Sequence, residues 1–190
     1  MTSVEQTIIK TTRLRIRAAR LADAELLYRL WTDARVMTNV GYPMGLKMSS
    51  REIEDGIREQ DPATEYGRYL IAGLQANGRA IGECKMILPD EDGVSRTDVK
   101  LLPEFWGYKY GVEIKQALVD YLFKHTSCLA VEGTPNVNNI ASIQMQEAVG
   151  AVRVGEDTYR FPESMAEFTA PVHNYIYQVL RSDWERRRKG

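Results

Sequence analysis

The residues best placed to do chemistry are Pro103-Glu104-Phe105-Trp106-Gly107-Tyr108-Lys109-Tyr110-Gly111-Val112-Glu113. A strand-like run from Arg96 to Leu102 leads in, and a helical pattern over 109–124 leads out. A strand that stops at a glycine-containing turn and restarts as a helix aims free backbone N–H groups at one point. The helix dipole adds partial positive charge there. The joint is therefore a candidate phosphate cradle. A plain strand–helix connection has the same signature, because glycine-containing turns before helices are common.

The elements around this joint can be read from pattern. Residues 11–18 alternate polar and apolar, as a half-buried strand does. Residues 23–34 place Ala24, Leu27, Leu30 and Trp31 on one helical face, with Asp23 as a plausible cap. Tyr28, Trp31 and Tyr121 fall at core-like helical spacing. Gly41-Tyr42-Pro43-Met44-Gly45 reads as a loop, and Ser49-Ser50-Arg51-Glu52 opens a second helix as a capping box, with Ile53 and Ile57 inward. Residues 66–74 and 80–88 read as strands joined by Asn77-Gly78, a strong hairpin signal. After a turn at 89–93, a third strand runs to Leu102. A short strand at 128–132 follows the long helix. A helix over 139–149 stops at Gly150, and strands over 151–160 and 174–181 close the chain. Asn139 suits a helix N-cap, and Ser142 an ordinary first-turn position.

A three-strand meander followed by strand–helix–strand implies a mixed α/β sheet. The expected fold class is α/β (α+β), a single domain over 1–190. Its mixed, mostly antiparallel sheet has about six to seven strands flanked by about four helices. Ligands of such sheets sit beyond strand ends at connections to helices, where residues 106–111 lie. Residues 185–190, Glu-Arg-Arg-Arg-Lys-Gly, read as a solvated, flexible tail rather than a nucleic-acid arm.

Composition narrows the function classes. The chain has 190 residues, 44% of them hydrophobic, enough for one core. A formal charge of −1 gives no bulk attraction to nucleic acid or acidic lipid. The apolar runs are too short to cross a bilayer. Met1 to Gln6 lacks the basic start and apolar stretch of a secretion signal. Cys84 and Cys128 make no metal pattern and read as buried, reduced thiols of a cytoplasmic protein.

Several segments together carry a family resemblance. Thr12-Arg13-Leu14-Arg15-Ile16-Arg17, Ile81-Gly82-Glu83, residues 103–107 with Tyr110-Gly111-Val112-Glu113, Asn139-Ile140-Ala141-Ser142, Glu147-Ala148-Val149-Gly150 and Arg181-Ser182-Asp183-Trp184 occur in the expected order. In that order they resemble the GNAT superfamily of acyl-CoA-dependent N-acyltransferases, over Thr12 to about Trp184. The likeness is to the branch that includes the ribosomal-protein N-terminal acetyltransferases. The resemblance implies acetyl-CoA as acyl donor and no metal. It places Trp106, Gly107, Tyr108, Lys109, Tyr110 and Gly111 around the pyrophosphate. Leu101 and Leu102 would pair with the pantetheine arm, and a bulge would aim an N–H at the thioester carbonyl. Asn139 would hold the pantetheine region and Ser142 would lie near the cofactor or its sulfur. A homodimer is common in the branch.

Two positions depart from the pattern. Lys109 stands where a central glycine belongs. Its Cβ would crowd a phosphate close to the backbone, whereas its ammonium could meet that phosphate. Weakened or shifted CoA binding is expected. Gln146 stands where many relatives place a tyrosine that protonates the departing thiolate. Glutamine cannot transfer that proton. Ser142 or water could serve, or no acid is needed. A base must take a proton from the substrate ammonium. Glu83 and Asp98 are the best carboxylates, being on the central strands, ahead of His125 and His173. The expected activity is transfer of an acetyl group from acetyl-CoA to a primary amine, on a protein N-terminus or small molecule, by direct attack in a ternary complex. The alternative is a non-catalytic acyl-CoA-binding or regulatory protein of the same fold.

Overall fold

The computed structural model describes residues 7–189. Eight strands form one sheet: β1 (Thr7–Lys10), β2 (Leu14–Ala18), β3 (Leu70–Leu74), β4 (Ala80–Met86), β5 (Val94–Leu101), β6 (Ala130–Gly133), β7 (Val152–Tyr159) and β8 (Val172–Leu180). Their spatial order is β1-β2-β3-β4-β5-β6-β8-β7. The helices are α1 (Ala24–Thr32), α2 (Ala34–Met37), α3 (Ser50–Arg58), α4 (Tyr110–His125), α5 (Ile140–Ala148) and α6 (Arg181–Lys189). All pairings are antiparallel except β5 with β6, which is parallel.

The sheet separates two apolar layers. On one face Ile16, Leu70, Cys84 and Met86 pack under Ile114, Leu118, Val119 and Leu122 of α4. On the other, Ile71 and Leu102 pack with Leu27, Leu30 and Trp31 of α1 and Ile53 and Ile57 of α3. Strand alternation makes this division, since neighbouring residues point to opposite faces. Cys84 and Cys128 are buried free thiols.

Local sequence signals act as their chemistry requires. The β3–β4 hairpin turns through Gly78 at φ 73°, where a Cβ is costly. The Ser49 Oγ accepts from the Glu52 N–H while the Glu52 carboxylate accepts from the Ser49 N–H, closing the capping box.

Some elements differ from expectation. Strand β1 is short and lies at the sheet edge, so it has no two-sided pattern to read. Strand β3 begins at Leu70, four residues after the expected Tyr66. Asp23 does not cap α1 with its side chain; its carboxylate instead binds the Arg17 guanidinium at 2.6 and 2.8 Å. Residues 181–189 form α6. This helix is fixed by long-range contacts that local patterning does not carry. The Arg181 guanidinium donates to the carbonyls of Phe123, Thr126 and Cys128, and Trp184 Nε1 donates to Asp120.

One register feature shapes the centre of the sheet. Strand β6 pairs with β5 only from Val94↔Ala130 to Arg96↔Glu132. Strand β5 runs on to Leu101 with β4 as its single partner. Beyond β6 the chain stays with β8: the Pro135 carbonyl accepts from the Tyr175 N–H, and Val137 donates to His173. The two central strands therefore splay, and β5 from Thr97 to Leu101 has a free edge.

Candidate functional site

The free edge of β5 leads into the turn before α4. Pro103–Phe105 forms a short 3-10 turn. Gly107 then takes φ 82° and Lys109 φ 62°, and α4 starts at Tyr110. Lys109 has the only positive φ of a non-glycine residue among the described residues. The position thus adopts the left-handed conformation that glycine favours, with a lysine in it. The N–H groups of Gly107, Tyr108, Lys109, Tyr110, Gly111 and Val112 reach no acceptor among the described residues. The first of this run to bond is Glu113, to the Lys109 carbonyl.

The start of α4 is anchored from behind. The Glu113 carboxylate accepts from Thr11 Oγ1 at 2.6 Å, from the Arg13 N–H at 2.8 Å and from Arg13 Nε at 2.6 Å. Desolvation opposes its charge, but these donors hold the carboxyl below its ordinary value. Gly111 lets α5 come close: a Cβ there would lie 3.3 Å from Met145 Sδ. The six free N–H groups and the free strand edge fit a ligand with a phosphate end and an extended amide-bearing arm.

Below the cradle a cavity of about 60 Å³ fills the splay. It is lined by Thr97, Asp98 and Val99 of β5, Lys115 of α4, Thr134 and Pro135 after β6, and Ser142, Met145 and Gln146 of α5. Gln146 is buried, and its Oε1 has no hydrogen-bond partner. Lys115 is 1% exposed, and its Nζ donates to Thr97 Oγ1 at 2.6 Å. The sequence pattern alone assigned Lys115 no role in a site. A lysine next to Ile114 on the apolar face of α4 was the available signal.

The opposite face of the sheet carries a charged cluster. Pairing sets Glu83 beside Lys100 and Lys85 beside Asp98. Lys100 contacts the Asp98 carboxylate and lies 4.0 Å from that of Glu83. Glu83 accepts a hydrogen bond from Trp31 Nε1 at 2.9 Å, and Tyr69 packs edge-on against the Trp31 ring. Burial pushes the Glu83 carboxyl up, as does the Asp98 charge, and Lys100 and Trp31 only partly offset this. Asp98 is half-exposed at its side chain. Desolvation disfavours its charge, but the Lys100 ammonium wins and holds it below the usual carboxylate range. Lys100 and Trp31 are thus site residues that sequence reasoning missed; Trp31 had been read as core alone.

The residues expected to serve a cofactor are placed as follows. Trp106 and Tyr108 are exposed, and Tyr108 stacks on Tyr110. Trp106 Nε1 donates to the Leu101 carbonyl at 2.9 Å. The Leu102 N–H is spent on the Ile81 carbonyl and its side chain is buried, so Leu102 brings no free donor to the slot. Asn139 caps α5, its Oδ1 accepting from the Ser142 N–H at 3.1 Å. Ser142 lines the cavity; Asp98 borders it as a residue of β5, but its side chain joins Lys100 and Glu83 on the α1 face. His125 stacks on Tyr121 at the end of α4, and His173 is 3.9 Å from Glu156.

A splayed sheet, a strand-to-helix cradle of free N–H groups and carboxylates on the central strands lie together at the centre of this fold. The sequence model of the acetyltransferase (GNAT) domain matches residues 13–152, and the chain belongs to that family. The family uses acetyl-CoA as acyl donor. The chain is similar to the uncharacterized N-acetyltransferase p20 of Bacillus licheniformis, 24% identical over 147 residues, 76% of this chain and 82% of that protein. In structure it is similar to a GNAT-family acetyltransferase from Bacillus anthracis, with a TM-score of 0.74 at 19% identity over 92% of this chain and 98% of that one. It is also similar to the aminoglycoside acetyltransferase AAC(6')-Ib solved with coenzyme A and kanamycin. There the TM-score is 0.71 at 20% identity, over 92% and 99% of the two chains. Among the described residues no helix is long and apolar enough to cross a membrane.

Proposed function

We propose that this protein transfers an acetyl group from acetyl-CoA to a primary amine by direct attack in a ternary complex. The observation that carries the reading is the free β5 edge running into six undonated N–H groups at the start of α4. The N–H groups of residues 107–111, with Trp106 beside them, hold the pyrophosphate, and the α4 dipole adds to that attraction. The β5 edge near Leu101 takes the pantetheine arm. Asn139 and Ser142 border that arm from α5. The donor supplies a thioester carbonyl, and a backbone N–H of β5 stabilises the oxyanion formed there.

The amine arrives on the α1 face. Glu83 is the proton acceptor there, since its raised pKa brings a carboxylate closer to the pH at which amines react. Asp98, held ionised by Lys100, is the second carboxylate and attracts the incoming ammonium. Support for an amine acceptor comes from family membership and from the kanamycin complex of a structural relative. The acceptor is either a small amine or a protein N-terminus, the latter matching the branch whose motifs the chain resembles. The buried thiols suit work in the cytoplasm.

Release of free thiol from acetyl-CoA, measured against kanamycin, spermidine and short N-terminal peptides, tests the reading. Release with at least one amine, abolished by Glu83→Gln, is expected. Tight acetyl-CoA binding with no release across the panel would instead favour a non-catalytic acyl-CoA-binding protein, for which Gln146 and Lys109 are the supporting departures.

A further inference from the structure

We propose that the Lys115 ammonium contacts the sulfur of the acyl donor and protonates it as the thiolate departs. The proposal rests on the acetyl-transfer reading above and adds a residue to it.

Lys115 is a cation that almost no solvent reaches. Among the described residues no carboxylate forms an ion pair with it, and its one hydrogen bond goes to the neutral Thr97 hydroxyl. An ammonium has three protons to donate, so two remain. Burying such a group without a charged partner is costly, and a methionine would fill the same place at lower cost. Lys115 and Gln146 both line the cavity in the splay, and the Gln146 Oε1 is buried without a partner. A cavity lined by a buried cation with protons to spare suits a polar group that the protein itself does not supply.

The position along the slot says which part of the donor arrives there. The phosphate cradle lies at residues 107–112, at the open end. The free edge of β5 descends from Leu101 to Thr97 and closes where Arg96 pairs with Glu132. The cavity at residues 97–99 is therefore the closed end. A donor with its pyrophosphate in the cradle brings its thioester there. Strand alternation places Thr97 and Lys115 on the α4 face, and Glu83 with Trp31 on the α1 face. The amine and the departing sulfur thus meet different faces of the strand.

The step balances as follows. The amine nitrogen bonds to the carbonyl carbon, and the carbon–sulfur bond breaks with its electron pair passing to sulfur. Lys115 Nζ gives sulfur a proton and becomes a neutral amine, while the nitrogen of the new amide loses its proton to Glu83. Exchange with solvent returns both groups to their starting state. Burial pulls the Lys115 ammonium down to about 8, within reach of a thiolate, against the opposing charges of Asp98 and Glu132. Both carboxylates sit on residues whose side chains project to the other face of the sheet and act on Lys115 from a distance. Asp98 is bound to Lys100, and Glu132 to Arg96 and Gln178. The α5 side presents Ser142 and Gln146, which do not titrate.

The first test needs no turnover. In wild-type protein carrying ¹³C-labelled lysine, the Lys115 Cε resonance is followed on addition of CoA and of desulfo-CoA. A larger shift with CoA, and a changed titration midpoint only with CoA, are expected. Equal responses would overturn the proposal even if acetyl transfer is established. Failure of both compounds to bind would instead remove the acetyl-transfer reading on which the proposal stands.

The second test is kinetic. Lys115→Met should lower kcat by about 100-fold or more and remove an alkaline limb near pH 8, where the buried ammonium titrates. Acetyl-CoA affinity by calorimetry should move little. Lys115→Arg keeps the charge but cannot release a proton at these pH values, so it should lose the limb and most of kcat as well. A Lys115→Met enzyme with near wild-type kcat and an intact limb would overturn the proposal.

Discussion

Trp31 Nε1 of α1 donates a 2.9 Å hydrogen bond to the Glu83 carboxylate of β4. A core tryptophan thereby fixes the carboxylate assigned to proton transfer. The bond favours the ionised form, so removing it raises the Glu83 pKa. In Trp31→Phe the acid limb of kcat/KM should move to higher pH, because the base must be ionised to work. Glu83→Gln should lower kcat by about 100-fold or more while acetyl-CoA affinity stays nearly unchanged. A pH–rate profile of both variants, with calorimetry of acetyl-CoA, checks this. An unshifted acid limb in Trp31→Phe would remove Glu83 from the role.

Lys109 holds a left-handed backbone at φ 62° that a side chain disfavours. Lys109→Gly should stabilise the fold by about 1 kcal/mol, while Lys109→Ala should not. Urea melts of the three proteins decide it. Acetyl-CoA titrations at two salt concentrations then separate the lysine's two possible effects. Weaker binding and a smaller salt dependence in both variants would mean that the ammonium meets phosphate. Tighter binding in Lys109→Gly alone would mean that the Cβ crowds it.

Gly82 lets β4 lie close against β5 where it pairs with Leu101. A Cβ there would stand 2.3 Å from the Lys100 carbonyl oxygen, which is backbone and cannot step aside. Gly82→Ala should cost about 3 kcal/mol and disturb the Glu83–Lys100 register next to it. Loss of melting temperature together with loss of activity is expected. A melting temperature equal to wild type would show that the two strands have room the structure does not display.

Lys115 links stability to pH with a definite sign. Its folded pKa, about 8, lies below lysine's ordinary 10.5, so between these values the unfolded chain binds more protons. Stability from this group therefore rises with pH across that window, and the burial penalty is fully present below pH 8. Lys115→Met should gain up to about 3 kcal/mol at pH 7, with the gain shrinking toward pH 10.5. Melts across pH 6–10 measure it. A constant difference across that range would show that Lys115 is not desolvated.

Much of this protein was legible from sequence wherever a short stretch of chain sets its own conformation. The Asn77-Gly78 hairpin, the Ser49–Glu52 capping box and the glycine-rich start of α4 are local hydrogen-bond and steric problems with few solutions. The importance of Lys109 was also readable, since a lysine where the turn wants glycine is visible in one dimension. Contacts across the sheet were not readable. Whether Trp31 is core or site depends on Glu83 lying opposite it, and the charged trio of Glu83, Asp98 and Lys100 exists only in the β4–β5 register. The Lys115 side chain has a cavity to face only because β6 leaves β5 at Arg96 and follows β8. That divergence is set by hydrogen bonds between residues about forty positions apart, Pro135 and Tyr175 among them, and nothing in the local pattern of either segment encodes it.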